Sequence, residues 1–297
     1  MLRCVDALLL SVLLASGEPE LVHGKRYAMG TLFEILAYDK SPERAGRAIT
    51  AALAEVERLD DVMSNFKDSS ELSRVVQAAR RGPVRASRDL YDVMEASLRF
   101  ARVSGGAFDV TVAPLVRAWK SEEAPDEARV EELRACVGWQ KLCLEPPDRV
   151  RFLSPCLELD LGGIGKGYAV DRAAAVLRRF GVECALINAG SSSLLALAPP
   201  PGQPGWQVEL PRGAGTLKLR GNSLSTSEQE AGHIIDPATG RPVSAPWAVS
   251  VLAPSATVSD ALSTALLVLG PVRGRSVAQN VQGAKAFWID RDGKVRR

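Results

Sequence analysis

From Ser41 onward, Ala45, Ile49, Ala52, Leu53, Val56 and Leu59 recur at intervals of three and four. That spacing lays one apolar face along a helix, with Pro42 at a natural first position. Leu90, Val93, Met94 and Leu98 predict a second helix over 87–104, capped by Ser87 and ended by Gly105. A third begins near Lys166 and runs through Ala173, Val176 and Leu177 to Gly181. A fourth covers Asp260 to Leu269, with Gly270 as its stop. Shorter apolar runs predict strands over 31–38, 157–161, 182–188, 207–210, 216–219, 248–252 and 284–289. Segments 121–130 and 199–205 read as exposed loops. Helices mixed with hairpin-like strand pairs predict an α+β architecture, not a strict βαβ series.

Composition narrows the function classes. The 297 residues are 46% apolar and 24% charged, which excludes a disordered or collagen-like chain. A net charge of +2 supplies no overall drive toward nucleic acid. The only histidines, His23 and His233, cannot build a His-rich metal site, so oxygen ligands, which suit Mg²⁺, become the natural option. Five cysteines with no CxxC pair give neither a zinc ribbon nor a redox motif. Free buried thiols are expected in preference to a disulfide. Residues 7–15 form an apolar run after Arg3 and before Ala15, Ser16 and Gly17, the layout of a secretory signal over 1–17. The reading that follows is an exported, periplasmic protein. A buried first strand or helix in a cytoplasmic protein is the alternative. No stretch of about 20 apolar residues occurs, so no membrane span is expected.

Four segments carry candidate chemistry. Asp160-Leu-Gly-Gly-Ile-Gly-Lys-Gly167 feeds a strand-like run through a glycine-rich turn into a helix, a place where backbone approaches phosphate. It matches neither the P-loop nor the dinucleotide fingerprint, and a tight structural turn is the other reading. Asp260 and Thr264, four apart, put a carboxylate and a hydroxyl on one helix face. Together with a carbonyl and phosphate oxygens they suit Mg²⁺, whereas Ser259 or Asp260 as a simple N-cap is the structural alternative. His233 precedes an Asp236-Pro237, Thr239-Gly240 turn and is either a general base or structural. Asp109, in the Gly105–Trp119 segment, is either functional or a solvated turn residue.

Taken in order, Met29-Gly30-Thr31, Met63-Ser64-Asn65-Phe66 with Ser70-Glu71-Leu72, GGAFDVTVAPLVRAW, LDLGGIGKGYAVD, INAG, HIIDPATGRP and SDALSTA resemble the FAD:protein FMN transferases of the ApbE type. The resemblance spans roughly residues 26–275. It implies one large domain over 18–297, with a mixed, largely antiparallel sheet flanked by helices and the active site in a cleft between two lobes. It also implies that Met29, Phe66, Ala107, Phe108, Asp109, Asp160, Lys166 and Ile235 contact FAD. Gly163 (through its carbonyl), Asp260 and Thr264 would bind Mg²⁺, with His233 the proton-transfer group. Such enzymes split FAD and attach FMN through a phosphoester to a Thr or Ser of an acceptor protein, releasing AMP. Hydrolysis of FAD to FMN and AMP, or non-catalytic FAD carriage, are the rival readings. Three positions depart from the family pattern: Ser191 and Ser192 follow INAG, Glu228 stands where Gly is usual, and Phe66 replaces Tyr. Glu228 is expected to disturb the backbone or repel the pyrophosphate. Phe66 keeps the stacking face and loses a hydroxyl.

Overall fold

The computed structural model describes residues 17–121, 123–229 and 233–296. The leader reading at 1–17 therefore lies outside them, apart from Gly17. Eight strands form the central sheet: Glu20–Ala28, Thr31–Asp39, Cys184–Ala189, Ser193–Ala196, Ser223–Ser227, Ala248–Ala253, Lys285–Ile289 and Val295–Arg296. Their order across the sheet is their order along the chain, and each neighbouring pair is antiparallel. The expected antiparallel α+β class is the observed one.

Alternation decides the two faces. In Thr31–Asp39, Phe33, Ile35 and Ala37 point to the helical core, while Leu36 and Tyr38 meet a second cluster on the opposite face. Ala185, Ile187 and Ala189 against Leu186 repeat the pattern. The helical face is covered by α1 (Pro42–Met63), α2 (Glu71–Ala79), α3 (Arg88–Val103), α6 (Gly165–Arg179) and α7 (Ala256–Gln279). The hairpin Trp206–Glu209/Thr216–Leu219 covers the other face.

Part of the chain between the second and third strands, α4 (Ala113–Trp119), α5 (Glu127–Arg134) and a small sheet of Val84–Arg85, Arg149–Phe152 and Leu142–Glu145, builds a second lobe beside the helical layer. A satellite core of Leu115, Val116, Val130, Leu133 and Val137 closes on Ile235, which joins this lobe to the turn after His233.

Several expectations change. The run 157–161 keeps its alternation, with Leu157, Leu159 and Leu161 buried, yet forms no strand. Its backbone groups find other partners: Arg80 donates to the Leu157 carbonyl and the Asp160 N–H to the Val110 carbonyl. The segment 121–130 is only partly loop, because Asp126 caps α5 through the Arg129 N–H. The fourth helix begins at Ala256 with Ser255 as its N-cap, so neither Ser259 nor Asp260 caps it. Gly270 still breaks it, at φ 68°, ahead of Pro271. The cysteine expectation is overturned: Cys136 and Cys156 form a disulfide, with Cα atoms 5.3 Å apart, and Cys143 and Cys184 are free. A sequence separation of 20 returns Cys156 to the end of α5, a closure that spacing alone does not reveal.

Candidate active site

The glycine-rich turn is built by its own backbone. Ile164 and Gly165 N–H groups return to the Leu161 carbonyl, and the Gly162 N–H donates to Asp160 Oδ1 at 2.8 Å. The chain then enters α6, whose N-cap residue, Ile164, supplies no side-chain hydrogen bond. A helix N-terminus carries partial positive charge and favours an anion, and here the Asp260 carboxylate already takes one of its N–H groups. Lys166 Nζ lies 3.3 Å from the Gly162 carbonyl and adds a full charge there.

Two of these glycines are required by close approach. A Cβ at Gly163 would press on Phe108 at 3.1 Å and on Thr264 Oγ1 at 3.2 Å. At Gly167 it would overlap the Ala256 carbonyl and sit 2.7 Å from the Asp260 Cβ. The turn therefore lies directly on α7, and the glycines bring Asp260 and Thr264 to it. The buried Asp260 carboxylate accepts the Gly167 N–H at 2.8 Å. Burial raises its pKa above the ordinary value, against the opposing pull of Lys166 and that N–H.

Asp171, one turn further along α6, locks the crossing. Its carboxylate accepts from the Ala256 N–H, the Thr257 N–H and the Thr257 hydroxyl at 2.9, 2.8 and 2.6 Å. An aspartate on one helix thus caps the next. Asp171→Ala is expected to cost about 2–3 kcal/mol, since charged hydrogen bonds and a cap are lost together. Thermal denaturation should show a Tm fall of about 4–12 °C.

A cleft of about 620 Å³ opens above this crossing. Asp160, Gly163, Lys166, Asp260 and Thr264 line it together with Phe66, from the segment between α1 and α2, and Ala107, Phe108 and Asp109, which follow α3. His233 and Ile235 complete it. Met29 lies instead in an adjoining pocket of about 450 Å³ that shares Phe66, Asp160, Gly162 and Lys166 with the cleft. All the residues singled out from sequence are thus gathered in two pockets with a common wall. The Phe66 ring is 85% exposed at that wall, an aromatic face open to stacking.

Individual residues differ in what they offer. Asp109 is nearly buried, and its oxygens accept from the Thr111 N–H, the Thr111 hydroxyl and the Trp139 N–H. Burial pushes its pKa up, against those hydrogen bonds. It is neither the solvated turn residue weighed above nor an open acceptor; it ties the Ala107–Val110 loop to the second lobe. Phe108 packs edge-on against Phe100 and shows the cleft little of its ring. His233 is exposed on the cleft, and the Gln229 side-chain amide clasps the backbone of the next residue, Ile234, at both N–H and carbonyl. Asp236 forms the expected turn, accepting the Ala238 N–H, and Trp119 donates to Gly240 from α4.

The departures are accommodated. Glu228 is ion-paired by Arg212, which also donates to the Pro246 and Ile289 carbonyls at 2.9 and 3.0 Å. Its charge is matched by that guanidinium while Glu228 still lines the cleft. Ser191 adopts the left-handed φ of 60°, the conformation a glycine would hold, with its N–H on Asn188. Lys120 and Ser227 also line the cleft and were not singled out from sequence. Lys120 gave no signal, as a lone lysine reads as solvated surface. Ser227 did leave one: serines at every second position from 223 to 227 in a buried strand.

The Asp260 carboxylate and the Thr264 hydroxyl, with Gly163 packed closely against that hydroxyl, offer hard-oxygen donors that fit Mg²⁺. Among the described residues no cluster of three His, Cys, Asp or Glu offers a competing metal site.

The ApbE family model matches residues 29–288. The FAD:protein FMN transferase of Vibrio cholerae is 31% identical, covering 91% of this chain and 89% of the relative. That of Salmonella typhimurium is 28% identical over 94% and 87%. Among solved structures, the flavin transferase ApbE from Vibrio cholerae superposes with a TM-score of 0.81 at 27% identity, covering 92% and 94%. The apo flavinyl transferase ApbE of Pseudomonas stutzeri gives 0.83 at 27% identity, covering 94% of each chain.

Proposed function

The chain belongs to the ApbE family, and on that footing we propose that it is a Mg²⁺-dependent FAD:protein FMN transferase acting on a Thr or Ser of an acceptor protein. One observation carries the reading: the glycine turn, Lys166, Asp260, Thr264 and His233 all meet in one cleft large enough for a dinucleotide. The FMN-side phosphorus is attacked by the acceptor hydroxyl oxygen. A new P–O bond forms as the pyrophosphate bridge breaks, and AMP departs with the bridging oxygen.

Each protein group has a task in that exchange. Lys166 and the α6 N-terminus hold the pyrophosphate oxygens, and the turn glycines let the backbone approach them. Phe66 offers its face to a ring of FAD, and Met29 and Ile235 supply apolar walls. Asp260, Thr264 and the Gly163 carbonyl would hold Mg²⁺, which neutralises charge on the phosphoryl oxygens. His233 takes the proton from the attacking hydroxyl. Hydrolysis would need only water in place of the acceptor, so the two enzymatic readings share one site.

Export is part of the same proposal. The Cys136–Cys156 bridge supports it, because disulfides persist in oxidising compartments. No helix among the described residues is long and apolar enough to cross a membrane.

The role of His233 is tested by His233→Ala. Transfer is expected to slow by about 10²–10⁴, the usual contribution of a positioned base. FAD affinity, read by quenching of flavin fluorescence, should change less than about threefold. Equal loss of both would assign His233 to ligand binding and not to proton transfer.

A further inference from the structure

A row of hydroxyls lies buried between the strand Ser223–Ser227 and α7. Ser223 and Ser225 both meet the Ser259 hydroxyl, at 2.8 and 2.7 Å, and Ser225 donates to Ser193 at 3.1 Å. One rung further, Ser227 meets Ser263 at 2.8 Å and Thr264 Oγ1 at 3.2 Å. Ser193, Ser223, Ser225, Ser259 and Ser263 are wholly buried, and Ser227 is 9% exposed. Two residues of strand advance about 6.7 Å and four residues of helix about 6 Å, so the two repeats match over this length. A slide of α7 along the strand would orphan several buried hydroxyls at once. The ladder therefore fixes the height of Asp260 and Thr264 over the glycine turn.

The last rung also orients a proton. Ser263 donates to the Asp260 carbonyl at 2.9 Å, so its oxygen is left to accept from Ser227. Ser227, having given its proton to Ser263, keeps a lone pair for the Thr264 hydroxyl. A hydroxyl that binds a cation must turn its proton away from it. Two acceptors lie in reach of Thr264, the Asp260 carbonyl at 3.3 Å, which already takes the Ser263 hydroxyl, and Ser227 at 3.2 Å, so Ser227 supplies a place where that proton goes.

We propose that Ser227 is a positioning residue for the cation site: it accepts the Thr264 proton and turns the Thr264 lone pairs toward the cleft. The proposal rests on the reading of Asp260 and Thr264 as cation ligands. It assigns Ser223, at the far end of the ladder, a packing role alone, since its hydroxyl meets Ser259 and the Ala253 and Ser255 carbonyls.

The test is Mn²⁺ binding to the full chain, followed by electron paramagnetic resonance of the free ion, in Ser227→Ala, Ser223→Ala, Ser263→Ala and Asp260→Ala. Ser227→Ala is expected to weaken Mn²⁺ by about 10-fold or more, the usual effect of removing a partner behind a ligand. Ser223→Ala loses the same group from the same strand and should stay within about twofold of the parent. Ser263→Ala cuts the last rung from the helix side and should lose Mn²⁺ affinity by a few-fold, which covers the case of an unfolded Ser227 variant. Equal affinities in the Ser227 and Ser223 variants, whether both intact or both weakened, overturn the positioning role while Asp260→Ala still abolishes binding. Mn²⁺ binding that survives Asp260→Ala unaltered overturns the cation reading itself, and this role with it.

Discussion

Asp260→Ala is expected to abolish Mg²⁺-dependent flavin transfer, lowering the rate by at least about 10³. Removing the buried carboxylate beside Thr264 and the glycine turn withdraws about 4 kcal/mol of charge stabilisation, which corresponds to that factor. The same change strips the Gly167 N–H of its acceptor, at a cost of about 1–3 kcal/mol for a buried orphan. Asp260→Asn separates the two effects. Its amide oxygen still accepts the Gly167 N–H, so Tm should recover while activity stays lost. Normal turnover in the Asn variant, measured as AMP released from FAD at saturating Mg²⁺, would sink the metal assignment.

Gly167→Ala is the second large effect, and it acts through shape alone. The added methyl would overlap the Ala256 carbonyl and crowd the Asp260 Cβ, and neither is a flexible side-chain end. Helices α6 and α7 must part to admit it. Overpacking of this kind costs about 1–3 kcal/mol or more, and Tm should fall by about 5–10 °C. Displacing Asp260 by about 1 Å from the turn should also cost about 10² in rate. Gly46→Ala is the control, since Gly46 is a helical residue of α1 with nothing within 4 Å of an added Cβ. It should raise stability by about 0.5–1 kcal/mol. A Gly167→Ala protein with unaltered Tm and activity would contradict the helix crossing on which the site depends.

The sequence signals that proved legible were those tied to a repeat or a fixed spacing. Threes and fours placed α1 and α3, with Ser87 as the cap of α3; Ser41, where the first pattern begins, proves to cap α1. A separation of four put Asp260 and Thr264 on one face, and the structure sets both against the glycine turn. The strand Glu20–Ala28 was missed for a physical reason. Its core-facing positions are Val22, Gly24, Arg26 and Ala28, an apolar alternation broken by the middle two, while Leu21 and Tyr27 face outward. Gly24 leaves room for Ile49, and Arg26 reaches Glu57, so small size and an ion pair replace hydrophobicity there. The Arg212–Glu228 pair was equally hidden, because Arg212 sits in the turn of a hairpin, sixteen positions before Glu228, and only the fold brings the two together.

In-gel fluorescence of an acceptor protein, with AMP measured in the same reaction, tests the central claim most directly. The acceptor, bearing an exposed Thr or Ser, is incubated with this protein, FAD and Mg²⁺ and then denatured. A fluorescent acceptor band that survives denaturation, with one AMP released per flavin attached, is the predicted result. AMP without a labelled acceptor would make the protein a hydrolase, and FAD bound with neither product would make it a carrier; both contradict transfer.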